Sequence, residues 1–157
     1  MTTVFCTDRQ ILERLLIPAM MSVVVLSMRE TMGEDGAILD PVRELLATSI
    51  REAVADIAPD RMPKIMRRAK RVTGQVVPAV TDKVAGVQYL ALARLTADLA
   101  ERDVIAIGAD SSFAKAWDFM AEVLELGWDK LQHQEDEAAA AADEMLRRLV
   151  EQGFYRG

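Results

Sequence analysis

The only histidine, His133, lies in register with two carboxylates that could share a metal ion with it. Asp129 and Glu137 stand four residues before and four residues after it, so a helix would place all three on one face. Carboxylate and imidazole groups at this spacing can ligate zinc, iron or manganese. Di-metal helical bundles use Glu-x-x-His from two helices, and this chain has neither that motif nor a second histidine. Because a solvated acidic face accounts equally well for the pattern, we assign no metal and no cofactor.

A second candidate is a basic segment that contains no acidic residue. Six cations fall within eleven residues: Arg61, Lys64, Arg67, Arg68, Lys70 and Arg71. On an amphipathic helix they could contact a phosphate backbone or an anionic membrane surface. Alternatively, the acid-rich segment that ends the chain could neutralise them, within one chain or between two. No aromatic residue is interleaved with these cations and no helix-turn-helix spacing surrounds them, so the sequence does not favour nucleic acid as the partner.

The two tryptophans could form one wall of an apolar ligand pocket. Trp117 and Trp128 are eleven residues apart, which is three helical turns, so they share a face with Phe113 and Met120. Tyr89 could supply the polar group of such a pocket. The alternative is that these side chains are core or interface packing.

Enzymatic motifs are scarce. Cys6 is the single cysteine and has no neighbouring base, and phosphate-binding glycine loops, Ser/His/Asp sets and Cys-x-x-Cys pairs are absent. The sequence therefore favours a non-enzymatic protein, although residues that converge from distant helices could still build an active site. A net charge of −6 and a single cysteine favour a cytoplasmic protein without disulfides.

The apolar stretch 15–28 is the element around which the chain must be organised. It contains no charged residue, and Arg14 and Arg29 flank it. A helix that is apolar on every side must be covered on every side. The stretch is too short to span a bilayer, so we expect it to be the axis of a bundle, an oligomer interface, or both. The predicted interface, most simply that of a homodimer, comprises Leu16, Met20, Met21, Val24 and Met28.

The spacing of apolar residues, together with residues that start or end helices, predicts the remaining elements. Pro18 predicts either a kink in the first helix or a short helix followed by a longer one that starts at Pro18. Asp40 and Pro41 have the types expected of an N-cap and a first helical residue. The predicted helices run over 7–33, 40–59, 60–71, from 78 or 81 to 102, and 110–153. The last of these lacks proline and could run uninterrupted, bend, or break near residue 127 or 133.

The sequence thus predicts an all-α protein, with one domain over 1–157 that forms an antiparallel bundle of about five helices. The favoured function is a self-associating interaction, scaffold or regulatory module that binds another macromolecule through helix faces. The alternative is a ligand-responsive bundle with an apolar pocket between helices. Polyanion binding through the basic helix and a metal site at His133 are the minor alternatives, and no membrane span is expected.

Overall fold

The computed structural model describes residues 8–32, 36–125 and 134–153, and every regular element within them is helical. The helices are α1 (Asp8–Ile11), α2 (Ile17–Met32), α3 (Gly36–Val54), α4 (Met62–Val76), α5 (Ala85–Glu101), α6 (Ser112–Glu125) and α7 (Glu135–Glu151). A π-helical turn (Leu12–Leu16) joins α1 to α2, and a 3-10 turn (Val77–Ala79) follows α4. The prediction of an all-α bundle is confirmed.

With α1, the π-helical turn and α2 counted as one segment, and the 3-10 turn left out, the described residues contain six helical segments rather than about five. The difference arises because the predicted helix over 110–153 is not continuous. Gln134, with φ −108° and ψ 1°, is outside the helical range and immediately precedes α7. Residues 126–133, which include the expected break points, lie outside the described part of the chain.

The irregularity expected at Pro18 takes the form of the π-helical turn just before it. A proline at this position has no N–H to donate to the carbonyl of Arg14, and its ring crowds that carbonyl. The wider π turn over Leu12–Leu16 relieves this conflict without ending the helix. One continuous helical segment therefore runs from Asp8 to Met32.

The apolar stretch 15–28 is the axis of the bundle. α3 and α5 both pack against α2, while α6 packs on α3 and α7 packs on α5. Most side chains of the stretch are buried, but Leu26 is 56% exposed, so the expectation that no side of this helix faces water is wrong at that position.

The prediction that Asp40 caps a helix starting at Pro41 is wrong. α3 begins at Gly36, and Pro41 lies inside it. A proline in the second turn removes the hydrogen bond to the carbonyl four residues before it, in the first turn, and the helix continues through Pro41 without that bond. The Asp40 carboxylate accepts a hydrogen bond of 3.1 Å from the guanidinium of Arg43 instead of capping backbone amides.

Local hydrogen bonds define the C-terminus of α5 and the N-terminus of α6. After α5, Asp103 has φ +57°, and the amides of Asp103 and Val104 donate to the carbonyls of Ala100 and Leu99. This is the Schellman arrangement, in which Asp103 occupies the left-handed position usually held by glycine. The sequence Asp110-Ser111-Ser112 has the residue types of an N-cap, and the cap of α6 is Ser111, whose hydroxyl accepts a hydrogen bond of 3.1 Å from the amide of Ala114.

One buried polar side chain ties α5 to α2. Gln88 is almost fully buried, and its amide group donates to the hydroxyl of Ser27 at 2.9 Å and to the carbonyl of Lys83 at 2.8 Å. These bonds fix the turn before α5 against the central helix, because a buried amide left without partners would cost stability.

Candidate functional site

α4 separates an apolar face from a cationic one. Ile65, Ala69, Val72 and Val76 form its buried face, at the spacing of a helix side that packs on a core. α4 lies against the π-helical turn and α7. Five of the six predicted basic residues lie within α4, Arg61 immediately precedes it, and all but the half-buried Arg61 are exposed. The structure thus brings the predicted basic patch together on one helix.

Four of these cations have no counter-charge in the described part of the chain. Lys64, Arg67, Lys70 and Arg71 form no ion pair or side-chain hydrogen bond with any residue in 8–32, 36–125 or 134–153. Their charge is therefore open to a partner outside these residues.

Two acidic residues near the end of α7 pair with arginines of their own helix. Glu144 forms ion pairs with Arg147 at 2.5 Å and Arg148 at 3.0 Å, and Glu151 pairs with Arg147 at 2.5 Å. The hydrogen bonds from Arg147 first, and from Arg148 second, hold the pKa of the Glu144 carboxyl below its usual value. Neither acid pairs with Lys64, Arg67, Lys70 or Arg71, so within the described residues α7 does not neutralise these four cations.

α7 contacts α4 through a backbone group instead. The guanidinium of Arg148 donates to the carbonyl of Gln75 at 2.7 Å. Gln75 lies in the last turn of α4, where carbonyl groups lack helical partners and the helix dipole is negative. Arg148 therefore caps the C-terminus of α4 and holds it in place.

An apolar groove runs along one flank of α4. We define the α4 groove by its lining residues, Leu15, Ala19, Ile50, Met66, Arg67, Ala69, Lys70, Thr73, Gly74, Val77, Pro78 and Thr81. Its volume is about 690 Å³, and α2, α3, the π-helical turn and the turn after α4 contribute its other walls. Arg67 and Lys70 are the only charged residues among those that line it.

Small or satisfied side chains keep this groove open and apolar. The hydroxyl of Thr73 donates to the carbonyl of Ala69 at 2.7 Å, so its polar group is bonded within its own helix. Gly74 has no side chain, and a Cβ added there would meet nothing within 4 Å. Met66 is 45% exposed, so part of its apolar side chain is accessible in the groove. The groove therefore presents exposed apolar surface beside two cations.

The other flank of α4 forms a basic cavity. It has a volume of about 760 Å³ and is lined by Ile11, Asp60, Arg61, Lys64, Ile65, Arg67, Arg68 and Arg71. Five of these residues are cationic and Asp60 is the one carboxylate among them. Arg67 lines both the basic cavity and the α4 groove.

The predicted aromatic pocket is a packed cluster in its described part. Trp117 stacks on Tyr89 with ring centroids 4.8 Å apart and on Phe113 at 6.1 Å, and Met120 is fully buried. The gap where Trp117 meets α2 and α5 leaves no room for a water-sized molecule. These four residues therefore pack as core, and Trp128 lies outside the described residues.

The residues predicted to form an oligomer interface lie inside the chain's own core. Leu16, Met20, Met21, Val24 and Met28 are each at most 1% exposed in a single chain. In this conformation they offer no surface to a second copy, because their partners are the flanking helices of the same chain. The homodimer itself stays a prediction.

The metal candidate is described at only one of its three positions. Glu137 is exposed and forms an ion pair of 3.2 Å with Lys83, which joins α7 to the turn before α5. Asp129 and His133 lie outside the described residues, as does Cys6. Within the described ranges, His, Cys, Asp and Glu side chains form no group of three that could hold a metal ion.

The α4 groove is the feature that the sequence analysis missed. Its lining residues come from three separate sequence regions, 15–19, 50 and 66–81, so no contiguous motif encodes it. The available signal was Gly74, a glycine just beyond the predicted helix 60–71 that lies inside α4 in the structure. Met66, two turns earlier on α4, is adjacent in sequence to the buried Ile65, so the apolar pattern alone does not reveal its exposure.

Comparisons with known proteins give no family to which the chain can be assigned. No protein-family model matches it, and neither the curated proteins nor the solved structures include a match. Among the described residues, the helices are too short or too polar for any of them to cross a membrane.

Proposed function

We propose that this chain is a non-enzymatic binding module that takes an acidic amphipathic helix of a partner protein into the α4 groove. The observation that carries the proposal is an apolar groove of about 690 Å³ in which Arg67 and Lys70 are the only charged lining residues. Helix-in-groove recognition uses this combination, since apolar anchors supply affinity and charges at the edge set orientation.

The dimensions of the groove suit about two turns of a helix. Met66 and Gly74 are eight residues apart on α4, a distance of about 12 Å along its axis. A partner helix presents apolar side chains at i, i+3 or i+4, and i+7 over nearly the same length. Three such anchors would cover the exposed part of Met66 and the open space above Gly74.

Charge favours an acidic partner. Arg67 and Lys70 have no counter-charge among the described residues, and the chain as a whole carries −6. An acidic partner would be repelled by most of this surface and attracted to α4, which would steer it to the groove and fix its direction.

The partner is more simply another protein than a second copy. The acidic helix α7 already buries its apolar face, including Ala142, Met145 and Leu149, within its own chain. Within the described residues it therefore has no apolar stripe left to place in a neighbour's groove. We retain self-association and a cytoplasmic location as separate proposals, and native mass spectrometry of the untagged protein tests the first of them.

A labelled peptide tests the proposed function. The peptide is a helix of about 18 residues with leucines at i, i+3, i+4 and i+7 repeats and glutamates elsewhere. A matched peptide carries lysine in place of every glutamate. Fluorescence anisotropy should show that the acidic peptide binds at least about tenfold more tightly than the basic one, and that added salt weakens its binding.

Two variants at one position locate the binding. Gly74→Leu fills the groove, and Gly74→Ala adds only a methyl group at the same site. Both should be at least as stable as the parent, because a helical glycine costs about 1 kcal/mol relative to alanine and no neighbour lies close to the added Cβ. Gly74→Leu should weaken acidic-peptide binding about tenfold or more, and Gly74→Ala by less than about twofold. Equal binding of both peptides, or no effect of Gly74→Leu, would contradict the proposal.

A small apolar anion is the second occupant that the groove volume favours, because ligand pockets commonly measure about 300–1,000 Å³. Lauric acid is the probe for this alternative. If it binds with saturation and is excluded by Gly74→Leu while the acidic peptide fails to bind, the groove belongs to a ligand-binding protein and the helix proposal is wrong.

A further inference from the structure

We infer that the basic cavity on the other flank of α4 binds a compact polyanion that carries two or more phosphate groups. The cavity is separate from the α4 groove except at Arg67, which lines both. Four of its cations, Lys64, Arg67, Arg68 and Arg71, follow i, i+3, i+4 and i+7 spacing along α4. They therefore form one stripe about 10 Å long that faces a single cavity of about 760 Å³.

Three of the five cations that line this cavity have no counter-charge among the described residues. Like charges at i, i+4 on a helix repel each other, and this stripe contains two such pairs, Lys64 with Arg68 and Arg67 with Arg71. Lys64, Arg67 and Arg71 form no ion pair with a described residue, and Asp60 is the only carboxylate among the lining residues. A bound polyanion would replace this repulsion with attraction.

The position of the cavity along α4 also favours a bound anion. It lies beside the N-terminal half of α4, where the helix dipole is positive and acidic residues are normally favoured. The first turn of α4 contains no acidic residue. The helix end therefore adds positive potential to the cavity.

The residue types favour phosphate over other anions. Arginine presents a planar fork of N–H donors that matches two oxygens of one phosphate, and three arginines of α4 line the cavity. A nucleic-acid site of ordinary affinity neutralises about six to ten phosphates and often adds aromatic stacking. Five cations with no aromatic side chain among the lining residues suit a shorter ligand with its phosphates close together.

Arg67 couples this cavity to the groove. Its guanidinium cannot pair fully with a phosphate on one flank of α4 and with a partner's carboxylate on the other. A polyanion in the basic cavity would therefore weaken binding of an acidic helix, and the partner would weaken polyanion binding by the same factor. This consequence rests on the proposed function, whereas polyanion binding itself does not.

Inorganic tripolyphosphate is the probe, and isothermal titration calorimetry is the measurement. The intact protein should bind it at one site with saturation. Lys64→Gln and Arg71→Gln should each weaken binding by about threefold to tenfold. Lys70→Gln removes the same charge from α4 but lies only in the groove, so it should change binding by less than about twofold.

Several results would overturn the inference. One such result is that tripolyphosphate does not bind. Another is that Lys70→Gln weakens tripolyphosphate binding as much as Lys64→Gln does, which would mean that the general charge of α4 attracts the ligand. Much tighter binding of a 20-nucleotide single strand than of tripolyphosphate would also overturn it, because a long backbone would then be the ligand.

Vesicles distinguish the two sources of such a ligand. Phosphatidylcholine vesicles that contain a phosphatidylinositol bisphosphate offer closely spaced phosphates on a lipid headgroup. Vesicles of phosphatidylcholine alone are the control. Co-sedimentation that requires the bisphosphate lipid and is lost in Lys64→Gln supports a headgroup source, and tripolyphosphate binding without co-sedimentation supports a soluble one.

The coupling has its own readout. Tripolyphosphate should weaken acidic-peptide binding by the parent protein and have little effect on binding by Arg67→Gln. If the peptide does not bind at all, the proposed function fails and the phosphate titration still decides the polyanion site. If both ligands bind without affecting each other, the coupling through Arg67 is wrong.

Discussion

Met20→Ala should destabilise the single chain severely, because the first helix is the axis of a core that one chain completes. Met20 is 1% exposed and lies on α2 between α3 and α5. Leu26 lies on the same helix but is 56% exposed, so Leu26→Ala is the matched control. Both substitutions replace an apolar side chain by alanine in an α-helix.

The expected magnitude follows from burial. Truncating a fully buried methionine to alanine costs about 2–5 kcal/mol, through lost transfer free energy and the cavity left behind. Against a total stability of about 5–15 kcal/mol this is a large loss, and 3 kcal/mol would lower Tm by about 6–12 °C in a chain of this size. Leu26→Ala should change the free energy of unfolding by about 0.5 kcal/mol.

Urea unfolding followed by circular dichroism measures both variants, at two protein concentrations about tenfold apart. For a core completed by one chain, the midpoint does not depend on concentration. If Met20 were covered by a second subunit, each tenfold dilution would cost about 1.4 kcal/mol and move the midpoint by about 0.5–1 M. Such a shift, or a loss below about 1 kcal/mol for Met20→Ala, would refute the reasoning.

Three further perturbations test local contacts by the same unfolding measurement. Arg148→Gln should lower the free energy of unfolding by about 0.5–1.5 kcal/mol, because it removes the hydrogen bond to the carbonyl of Gln75. Arg147→Gln breaks only bonds within α7 and should lower it by less. Equal losses would contradict the capping role of Arg148. Asp103→Gly should stabilise by about 0.5–1 kcal/mol, since glycine adopts the left-handed conformation without strain, and a destabilised variant would contradict this. Because the pKa of Glu144 is lowered in the folded state, its carboxylate contributes stability that is present above the usual pKa of 4.5 and lost as the pH falls through the folded pKa. Glu144→Gln should therefore be less stable than the parent at neutral pH and equally stable in acid. A stability difference that does not depend on pH would contradict this.

Local patterns predicted the elements of this fold well. The apolar period of α4, with cations on its other side, was sufficient to predict an amphipathic basic helix, because both features are properties of a contiguous sequence. The cap at Ser111 was equally local. The start of α3 was not, because a cap signal at Asp40 and a proline one residue later permit a further helical turn before them.

Properties that depend on how helices pack could not be predicted in the same way. Phe113 and Trp117 were predicted to share a pocket with Tyr89, and the structure brings these rings together. Whether such a group encloses space depends on how closely the rings approach, and here stacking fills the space. The α4 groove exists because small residues of several elements, among them Ala19 and Gly74, meet at one place.

The same limit applies to the first helix. Its composition required cover on all sides, and composition alone could not assign that cover to a second subunit or to the chain's own helices. The structure supplies it from α3 and α5, and only Leu26 among the large apolar residues of the stretch is left exposed.

Methionine methyl NMR tests the central claim, that an acidic amphipathic helix occupies the α4 groove, most directly. Met66 lines the groove and is 45% exposed, whereas Met120 and Met145 are fully buried elsewhere. Titration of protein carrying ¹³C-methyl methionine with the acidic peptide should shift the Met66 resonance with saturation and leave those of Met120 and Met145 in place. An unchanged Met66 resonance in the presence of bound peptide, or equal shifts of all three, would show that the groove is not where the helix binds.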